Sequence, residues 1–251
     1  EGIAVLRRPD FGKITAKTVL EAVGQSFFAM SLGMGCMITY GSYLRRNENV
    51  LRIGGMVALS DITVAVLSGL AIFPAVFSFG ISPTSGPELV FVTLPNVFAR
   101  MTGGYFLSIL FFFLLFLAAI TSSVSLMEVI VAYLSEEFPV GRKRAVALTA
   151  GTVAVTGSLC ALSMIPSSAL TVGGMNLFDL CDALSSNVMM PLGGLLIVLF
   201  AGWVLSPAKL RRELTGGMRY GTRVYPLVRF LIRFVIPVLI LLLFLNRTGV
   251  L

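Results

Sequence analysis

A short polar motif lies inside one of the most apolar stretches of this 251-residue sequence. Ala118, Thr121, Ser122 and Ser125 are spaced at i, i+3, i+4 and i+7, so they share one face if the stretch is helical. Hydroxyl and carbonyl oxygens without net charge are ligands that a hard cation such as sodium accepts. Because Ser and Thr in apolar helices also bond back to carbonyls of the preceding turn, the pattern alone leaves both interpretations open.

Asp61 lies in a second apolar stretch, about eight residues from its start, which is about 12 Å along a helix. A carboxylate there needs a partner. Apart from Arg229 and Arg233, near the start of the last stretch, no Lys or Arg falls within the apolar part of any stretch. The partner is therefore either a bound cation or, if Asp61 is protonated, a backbone carbonyl or a serine hydroxyl.

Ser31, Gly33 and Gly35 lie near the middle of the first apolar stretch and indicate a break in its helix. A break at this place frees carbonyls at the end of the first half and amides at the start of the second, and such groups bind ions and charged substrates. The alternative is that the glycines only allow close packing of helices.

The elements that must position these residues are membrane helices. Hydrophobic residues make up 57% of the chain and charged residues 12%, which is unlike a soluble domain. The apolar residues form runs of the length that a helix needs to cross a bilayer. We predict an all-α integral membrane protein with six transmembrane helices, the first one broken, over residues 20–42, 53–80, 105–134, 145–165, 176–205 and 226–246.

Basic residues set the predicted orientation, because short loops rich in Lys and Arg stay in the cytoplasm. Such residues cluster in loops 43–52, 135–144 and 206–223, whereas the two alternate loops hold only Arg100. Both termini are therefore predicted outside, although the basic residues of the arm at 1–19 argue weakly against this. Membrane topology explains the net charge of +7, so binding to nucleic acid is not predicted.

Neither the cysteines nor any catalytic motif indicates an enzyme. Cys36, Cys160 and Cys181 have no C-x-x-C spacing and are predicted to be small buried side chains. The sequence contains no His and none of the common hydrolase or metalloprotease motifs.

The polar motifs belong to a pattern that runs along nearly the whole chain. Its parts are Gly24-Gln25, Phe27-Phe28, Ser31-Leu32-Gly33-x-Gly35, Thr39-Tyr40-Gly41-Ser42-Tyr43, Asp61 before Ser68-Gly69-x-Ala71-Ile72-Phe73, Thr93-Leu94-Pro95, Gly103-Gly104, and Phe111-Phe112 leading into Thr121-Ser122-Ser123. In these residues the sequence resembles the neurotransmitter:sodium symporter family, including its bacterial leucine-transporter-like members.

The resemblance implies a leucine-transporter-type inverted-repeat fold, of which this chain forms the part from the sixth to the eleventh helix. It predicts an extracellular arm at 1–19, the second five-helix repeat at 20–205, and a cytoplasmic loop with the final transmembrane helix at 206–251. The expected location is the plasma membrane, as a multi-pass protein of a bacterial inner membrane. Because the chain begins at Glu1, we expect a missing N-terminal half.

The function implied is that of the C-terminal part of a sodium-coupled amino-acid symporter working by alternating access. The expected cofactors are sodium ions. The expected partners are a small amino-acid substrate, the lipid bilayer and the missing N-terminal half. A channel or a structural subunit of a membrane complex is the alternative, but it would not need both a broken helix and a Thr-Ser-Ser face.

The resemblance also assigns residues to sites. It places the second sodium site at the Ala118 carbonyl and the hydroxyls of Thr121 and Ser122. The first sodium site falls on Asp61 and the backbone of Ala29. The substrate pocket falls on Phe28, Ser31, Met34, Ser123 and Leu126, and an acidic residue of the extracellular gate falls on Asp182, with Asp179 as the second alignment.

Two positions depart from the family pattern. Ala29 stands where members usually have Ser or Thr, so a side-chain ligand of the first sodium is missing. Asp61 stands where members usually have Asn, and Ala65, one turn later, is not acidic. Many animal members need chloride to balance the charge of sodium near this place, and bacterial members often use a carboxylate. Asp61 is therefore the candidate for the balancing charge.

Overall fold

The structure is a computed structural model that describes residues 12, 14–45, 48–78, 89–165, 170–216 and 221–248. Predictions for the remaining residues, which include most of the arm at 1–19, lie outside the described part. The described helices are α1 (Ala16–Ala29), α2 (Cys36–Ser42), α3 (Val50–Ser78), α4 (Leu94–Ala99), α5 (Gly104–Glu137), α6 (Arg142–Ser163), α7 (Leu177–Ala183), α8 (Met190–Leu199), α9 (Pro207–Thr215), α10 (Gly221–Phe230) and α11 (Ile236–Arg247).

Four π-helical turns precede or join these helices, at Leu89–Thr93, Leu184–Met189, Phe200–Val204 and Leu231–Val235. Two of them make α7 and α8 parts of one long helical segment that ends at Val204. Another joins α10 to α11. Two short antiparallel strands, β1 (Thr171–Val172) and β2 (Met175–Asn176), form a hairpin just before α7.

Five segments are long and apolar enough to cross a membrane: Val50–Pro74, Gly104–Glu137, Arg142–Ser163, Leu177–Val204 and Val224–Arg247. The first predicted span is instead two shorter helices, α1 and α2, separated by residues 30–35. These findings confirm the all-α membrane fold with a broken first helix.

The ends of the spans differ from the prediction where polar residues continue a helix. The helix α3 begins three residues before the predicted span, because the Asn49 side chain accepts a hydrogen bond from the Arg52 amide at 2.9 Å. Asp61 therefore lies eleven residues from the helix start, about 16 Å along its axis. An apolar run alone cannot show this side-chain hydrogen bond at the start of the helix.

The chain divides into two compact units, residues 1–15 with 56–123 and residues 16–55 with 124–251. In the first unit, Val76 of α3 packs against Leu94 and Val97 of α4 in a fully buried cluster. Phe98 and Phe111 pack against this cluster, with their ring centroids 5.6 Å apart. These contacts hold α4 against the ends of α3 and α5.

In the second unit, the break between α1 and α2 packs directly on α8. Gly33 has a φ of +83°, and a Cβ there would collide with the Met190 carbonyl. From the other side, a Cβ on Gly193 would lie 2.5 Å from the Gly33 carbonyl. Both glycines are needed for this close contact between two backbones. The glycines therefore allow close helix packing and also lie at a break in the helix, so both interpretations apply.

The cysteine prediction holds only for Cys36, which is buried. Cys160 is half-buried and Cys181 is exposed. Both lie near the contact between α6 and α7, where Ser163 of α6 accepts a hydrogen bond from the Phe178 amide at 3.3 Å. The prediction was wrong for Cys181, because it lies in α7, a short helix in which no described residue is fully buried.

Replacing Gly33 by Ala in the complete protein should lower its stability by about 1–3 kcal/mol, because the new methyl group meets backbone atoms of α8 at a positive φ. The matched control is Gly41→Ala. Gly41 lies in the helix α2 with open space around it, so Ala there should be neutral or slightly stabilising. Thermal unfolding in detergent compares the two variants, and equal melting temperatures would contradict the close packing.

Candidate functional site

The hydroxyl face of α5 belongs to the first unit and carries the predicted second sodium site. The Thr121 hydroxyl donates to the Ala118 carbonyl at 2.8 Å. The Ser122 hydroxyl has no hydrogen-bond partner among the described residues. Ala118, Thr121 and Ser122 are all exposed in this chain. All three supply neutral oxygens, the type of ligand that a hard cation accepts.

Back-bonding was the alternative interpretation of this face, and the structure contains it. Ser123 also donates to a carbonyl of the preceding turn, that of Ala119, at 2.8 Å. Such a bond does not exclude ion binding, because a carbonyl has two lone pairs and a hydroxyl oxygen can still accept a cation. The geometry of α5 is thus compatible with both roles.

Asp61 is half-buried in α3 and belongs to the same unit. Its carboxylate forms no hydrogen bond or ion pair with any described residue. No described Lys or Arg therefore neutralises Asp61. A carboxylate in this membrane-length segment must gain a proton or a cation, or a partner from elsewhere in the complete protein.

The break in the second unit exposes the backbone groups that the sequence predicted. The Leu32 amide reaches back to the Phe27 carbonyl at 2.9 Å, and among the described residues the carbonyls of Ala29 and Met30 accept no backbone hydrogen bond. Ser31 has a φ of +51°, the one positive value recorded for a non-glycine residue of the described chain. The chain is thus held in a turn that opens carbonyls at mid-segment.

The predicted site residues fall into two groups. Asp61, Ala118, Thr121, Ser122 and Ser123 lie in the first unit, and Phe28, Ala29, Ser31, Met34, Leu126 and Asp182 lie in the second. In the second unit, Ser31 lines a cavity of about 220 Å³ behind the break, together with Phe27 and Gly194.

Three pocket residues of the second unit differ in exposure. The side chains of Phe28 and Leu126 are about half exposed, at 52% and 45%, whereas Met34 is partly buried. Exposed apolar side chains beside an open break offer an apolar contact surface. They are therefore available to a ligand or to another part of the complete protein.

Asp182 and Asp179 are distinguished by their hydrogen bonds. Asn176 caps α7 by accepting from the Asp179 amide at 2.8 Å, and its own amide group donates to the Asp179 carboxylate at 2.7 Å. Asp179 is therefore part of a helix cap. Asp182 is exposed and its carboxylate accepts from the Ser186 hydroxyl at 3.1 Å, which leaves capacity for a further partner.

One polar cluster of the second unit was not assigned a role from the sequence. Arg142, at the start of α6, donates to both carboxylate oxygens of Glu128 at 2.8 and 2.9 Å. Tyr43, just after α2, donates to Glu128 at 2.7 Å. One turn earlier on each helix, the Tyr40 hydroxyl donates to Ser125 at 2.5 Å.

The cluster ties α2 to the second half of α5. The Glu128 side chain is 18% exposed, so its pair with Arg142 is shielded on the Glu128 side. The hydrogen bond to Glu128 raises the pKa of Tyr43 above its ordinary value. The sequence signal was the matching i, i+3 spacing of Tyr40 with Tyr43 and of Ser125 with Glu128.

Comparisons with known proteins agree with this architecture. A sequence model described as the Sodium:neurotransmitter symporter family matches residues 1–249. An uncharacterized sodium-dependent transporter of Bacillus subtilis, YhdH, is 39% identical over all of this chain and 56% of its own length. An uncharacterized sodium-dependent transporter of Haemophilus influenzae is 37% identical over 98% of this chain and 54% of its own length.

A solved structure shows the same fold. The crystal structure of MhsT in complex with L-phenylalanine superimposes with a TM-score of 0.84 at 38% identity, covering 98% of this chain and 56% of that chain. Fold and relatives together place the chain among multi-pass proteins of the plasma membrane, and the relatives are named as sodium-dependent transporters. The chain belongs to the sodium:neurotransmitter symporter family, and it spans about half the length of the curated relatives that it matches.

Replacing Glu128 by Ala in the complete protein should expose Cys36, because α2 loses its charged contact with α5. The Cys36 thiol is buried and lies 3.9 Å from the Ser125 carbonyl that accepts its weak hydrogen bond. We expect its alkylation by a maleimide to be about three to ten times faster. Cys160→Ser and Cys181→Ser remove the other thiols of this chain.

Glu137→Ala is the matched control, since Glu137 is an exposed acid at the end of the same helix. It should leave the Cys36 rate unchanged. Equal rates in the Glu128 and Glu137 variants would mean that the polar cluster does not hold α2 in place.

Proposed function

We propose that this chain is the C-terminal part of a sodium-coupled amino-acid symporter that works by alternating access. The observation that carries the proposal is the break between α1 and α2. Its carbonyls at Ala29 and Met30 accept no backbone hydrogen bond among the described residues. Unpaired backbone groups are tolerated at membrane depth only where they line a protein or water-filled site.

The family resemblance assigns two sodium sites to this chain, and we include both in the proposal. The second site uses the Ala118 carbonyl with the hydroxyls of Thr121 and Ser122, which gives three neutral oxygens from one helical face. By the family resemblance, the first site falls on the Asp61 carboxylate and the backbone carbonyl of Ala29. In each case the ligands are hard oxygens, which suit a sodium ion better than a softer metal.

The substrate in this proposal is an amino acid with an apolar side chain. Its ammonium faces the carbonyls of the break, and Phe28, Met34 and Leu126 contact the side chain. Ser31 and Ser123 supply hydroxyls, and no charged residue falls among these five positions. The related transporter MhsT was crystallised in complex with L-phenylalanine, an amino acid with an apolar side chain, which is consistent with a pocket of this kind.

Alternating access needs the two halves of the broken helix to move separately. Gly24 of α1 packs against Leu243 and Arg247 of α11. The helix α2 is instead held by α5 through Tyr40 and Tyr43. Because each half is anchored on a different helix, the break can act as a hinge. Asp182 is the candidate gate residue on the extracellular side.

The remaining half of the transporter is the expected partner, because the chain spans 56% of the relative from Bacillus subtilis. The test is therefore made on the complete protein in proteoliposomes. A labelled apolar amino acid should enter saturably and only with an inward sodium gradient. Flux that rises linearly with amino-acid concentration and ignores sodium would favour the channel alternative, and no flux would favour a structural subunit.

Replacing both Thr121 and Ser122 by Ala should raise the sodium concentration for half-maximal uptake at least about tenfold, because two oxygen ligands of a cation are lost. The matched control is Thr152→Ala with Thr156→Ala. These residues of α6 also bond back to their own helix, at 2.9 Å each, and belong to no proposed site. If the sodium dependence of uptake is unchanged when Thr121 and Ser122 are replaced, their hydroxyls serve helix packing and not ion binding.

Asp61→Asn should lower uptake in chloride-free buffer, with partial recovery when chloride is added, whereas uptake by the unmodified protein should not depend on chloride. Two sodium ions and a zwitterion leave excess positive charge in a site of low dielectric, which costs several kcal/mol without a counter-charge. Asp182→Asn is the control, because a lost gate residue should not be replaced by chloride. A chloride requirement of the unmodified protein would show that Asp61 is not the counter-charge.

A further inference from the structure

Arg233 is a cation inside the most C-terminal membrane-length segment. It lies nine residues after Val224, where this segment begins, which is about 13 Å along the helix. Its Nε is fully buried and has no hydrogen-bond partner among the described residues. The ion pair recorded between described residues joins Arg142 to Glu128, and no described carboxylate pairs with Arg233. An arginine at such a depth is unfavourable unless it binds something.

Trp203 fixes the position of this arginine without neutralising it. The guanidinium carbon of Arg233 lies 4.5 Å from the centre of the Trp203 ring. The indole N–H donates to the Arg233 carbonyl at 3.3 Å. Gly202 allows the approach, since a Cβ there would lie 3.3 Å from Arg233 Cγ. A ring face attracts the cation, but it gives the N–H donors no acceptor.

The surroundings of Arg233 have the character of a membrane interface. Trp203 is 55% exposed, and the Phe234 ring lies 5.8 Å from it in an edge-to-face arrangement. Phe230, also exposed, stacks obliquely on Phe234 at 5.5 Å. Tryptophan with neighbouring aromatic side chains is enriched where lipid headgroups meet the acyl chains.

Positive charge continues from this place toward the cytoplasmic loop. Arg229 lies one turn before Arg233 in the same segment. The Tyr225 hydroxyl donates to the Pro207 carbonyl at 2.9 Å, which ties the start of α9 to the last segment. The helix α9 then carries three exposed basic residues and a single acid, Lys209, Arg211, Arg212 and Glu213. The whole region therefore attracts an anion.

We propose that Arg233, seated on Trp203, binds the phosphate of an anionic phospholipid in the cytoplasmic leaflet, with Arg229 as the second basic contact. The guanidinium fork suits two phosphate oxygens. The exposed rings of Trp203, Phe230 and Phe234 contact the upper part of the acyl chains. A free phosphate ion would have to leave water for an apolar surface, whereas the phosphate of a lipid already lies at the membrane interface, toward which the long side chain of Arg233 extends.

This site is separate from the proposed ion and substrate sites, so it does not depend on the proposed function. The test uses the complete protein in nanodiscs of phosphatidylcholine with increasing phosphatidylglycerol. Bound phosphatidylglycerol is counted by native mass spectrometry after release. We expect Arg233→Gln to weaken the binding of phosphatidylglycerol about tenfold.

Arg45→Gln is the matched control, because Arg45 is an exposed basic residue of another predicted cytoplasmic loop. It should change the affinity less than about twofold, as expected for one distant surface charge. If both variants lose the same affinity, only general surface charge attracts the lipid and the proposal is wrong. Arg233→Lys keeps the positive charge but not the two-pronged guanidinium group, so it should weaken binding of the lipid about threefold. This variant replaces Arg233→Gln in the test if Arg233→Gln does not fold.

Two further measurements test whether Arg233 binds an anion other than a phospholipid. Inorganic phosphate added to nanodiscs of phosphatidylcholine alone should not raise the melting temperature, and a rise that Arg233→Gln abolishes would indicate a soluble-anion site instead. The Arg233→Gln variant should also melt like the unmodified protein in phosphatidylcholine alone. A large loss of stability there would mean that Arg233 pairs with a carboxylate of the complete protein, which would overturn the lipid site.

Discussion

The structure depends on the rule that backbone N–H and C=O groups cannot remain unpaired against lipid. Long helices satisfy it along most of the described membrane segments, whereas between α1 and α2 three positive φ values at Ser31, Gly33 and Gly35 interrupt the hydrogen bonding. That interruption is possible because Gly33 and Gly193 bring α8 against the turn. The carbonyls on the other side of the turn are then the natural place for a cation or an ammonium group.

Hydropathy and the spacing of polar residues predicted much of this fold. Apolar runs located the membrane segments, and Ser31 with its neighbouring glycines located the break, because both follow from local rules of length and backbone conformation. The ends of the helices were harder to predict from the sequence. The Asn49 cap and the π-helical turns depend on side-chain and backbone bonds that leave the hydropathy of a segment unchanged.

The candidate sites divide in a similar way. Thr121 and Ser122 could be recognised from their shared face, whereas Ala29 contributes a carbonyl and could be assigned only through the family resemblance. The contact of Tyr43 and Arg142 with Glu128 joins residues far apart in the chain, and only the three-dimensional arrangement shows which pairs meet. The cap that Asn176 makes with Asp179 is likewise visible only in the three-dimensional arrangement.

Trp203 and Arg233 both lie in π-helical turns, at Phe200–Val204 and Leu231–Val235. A π-helical turn is equivalent to one extra residue in an α-helix, so everything after it is rotated by about 100° relative to an uninterrupted helix. Deleting one residue from either turn would restore regular winding and turn Trp203 or Arg233 away from its counterpart. In an alignment of relatives, a single-residue gap in either of these two segments would therefore mark a protein that has lost this pair of an aromatic ring and a cation.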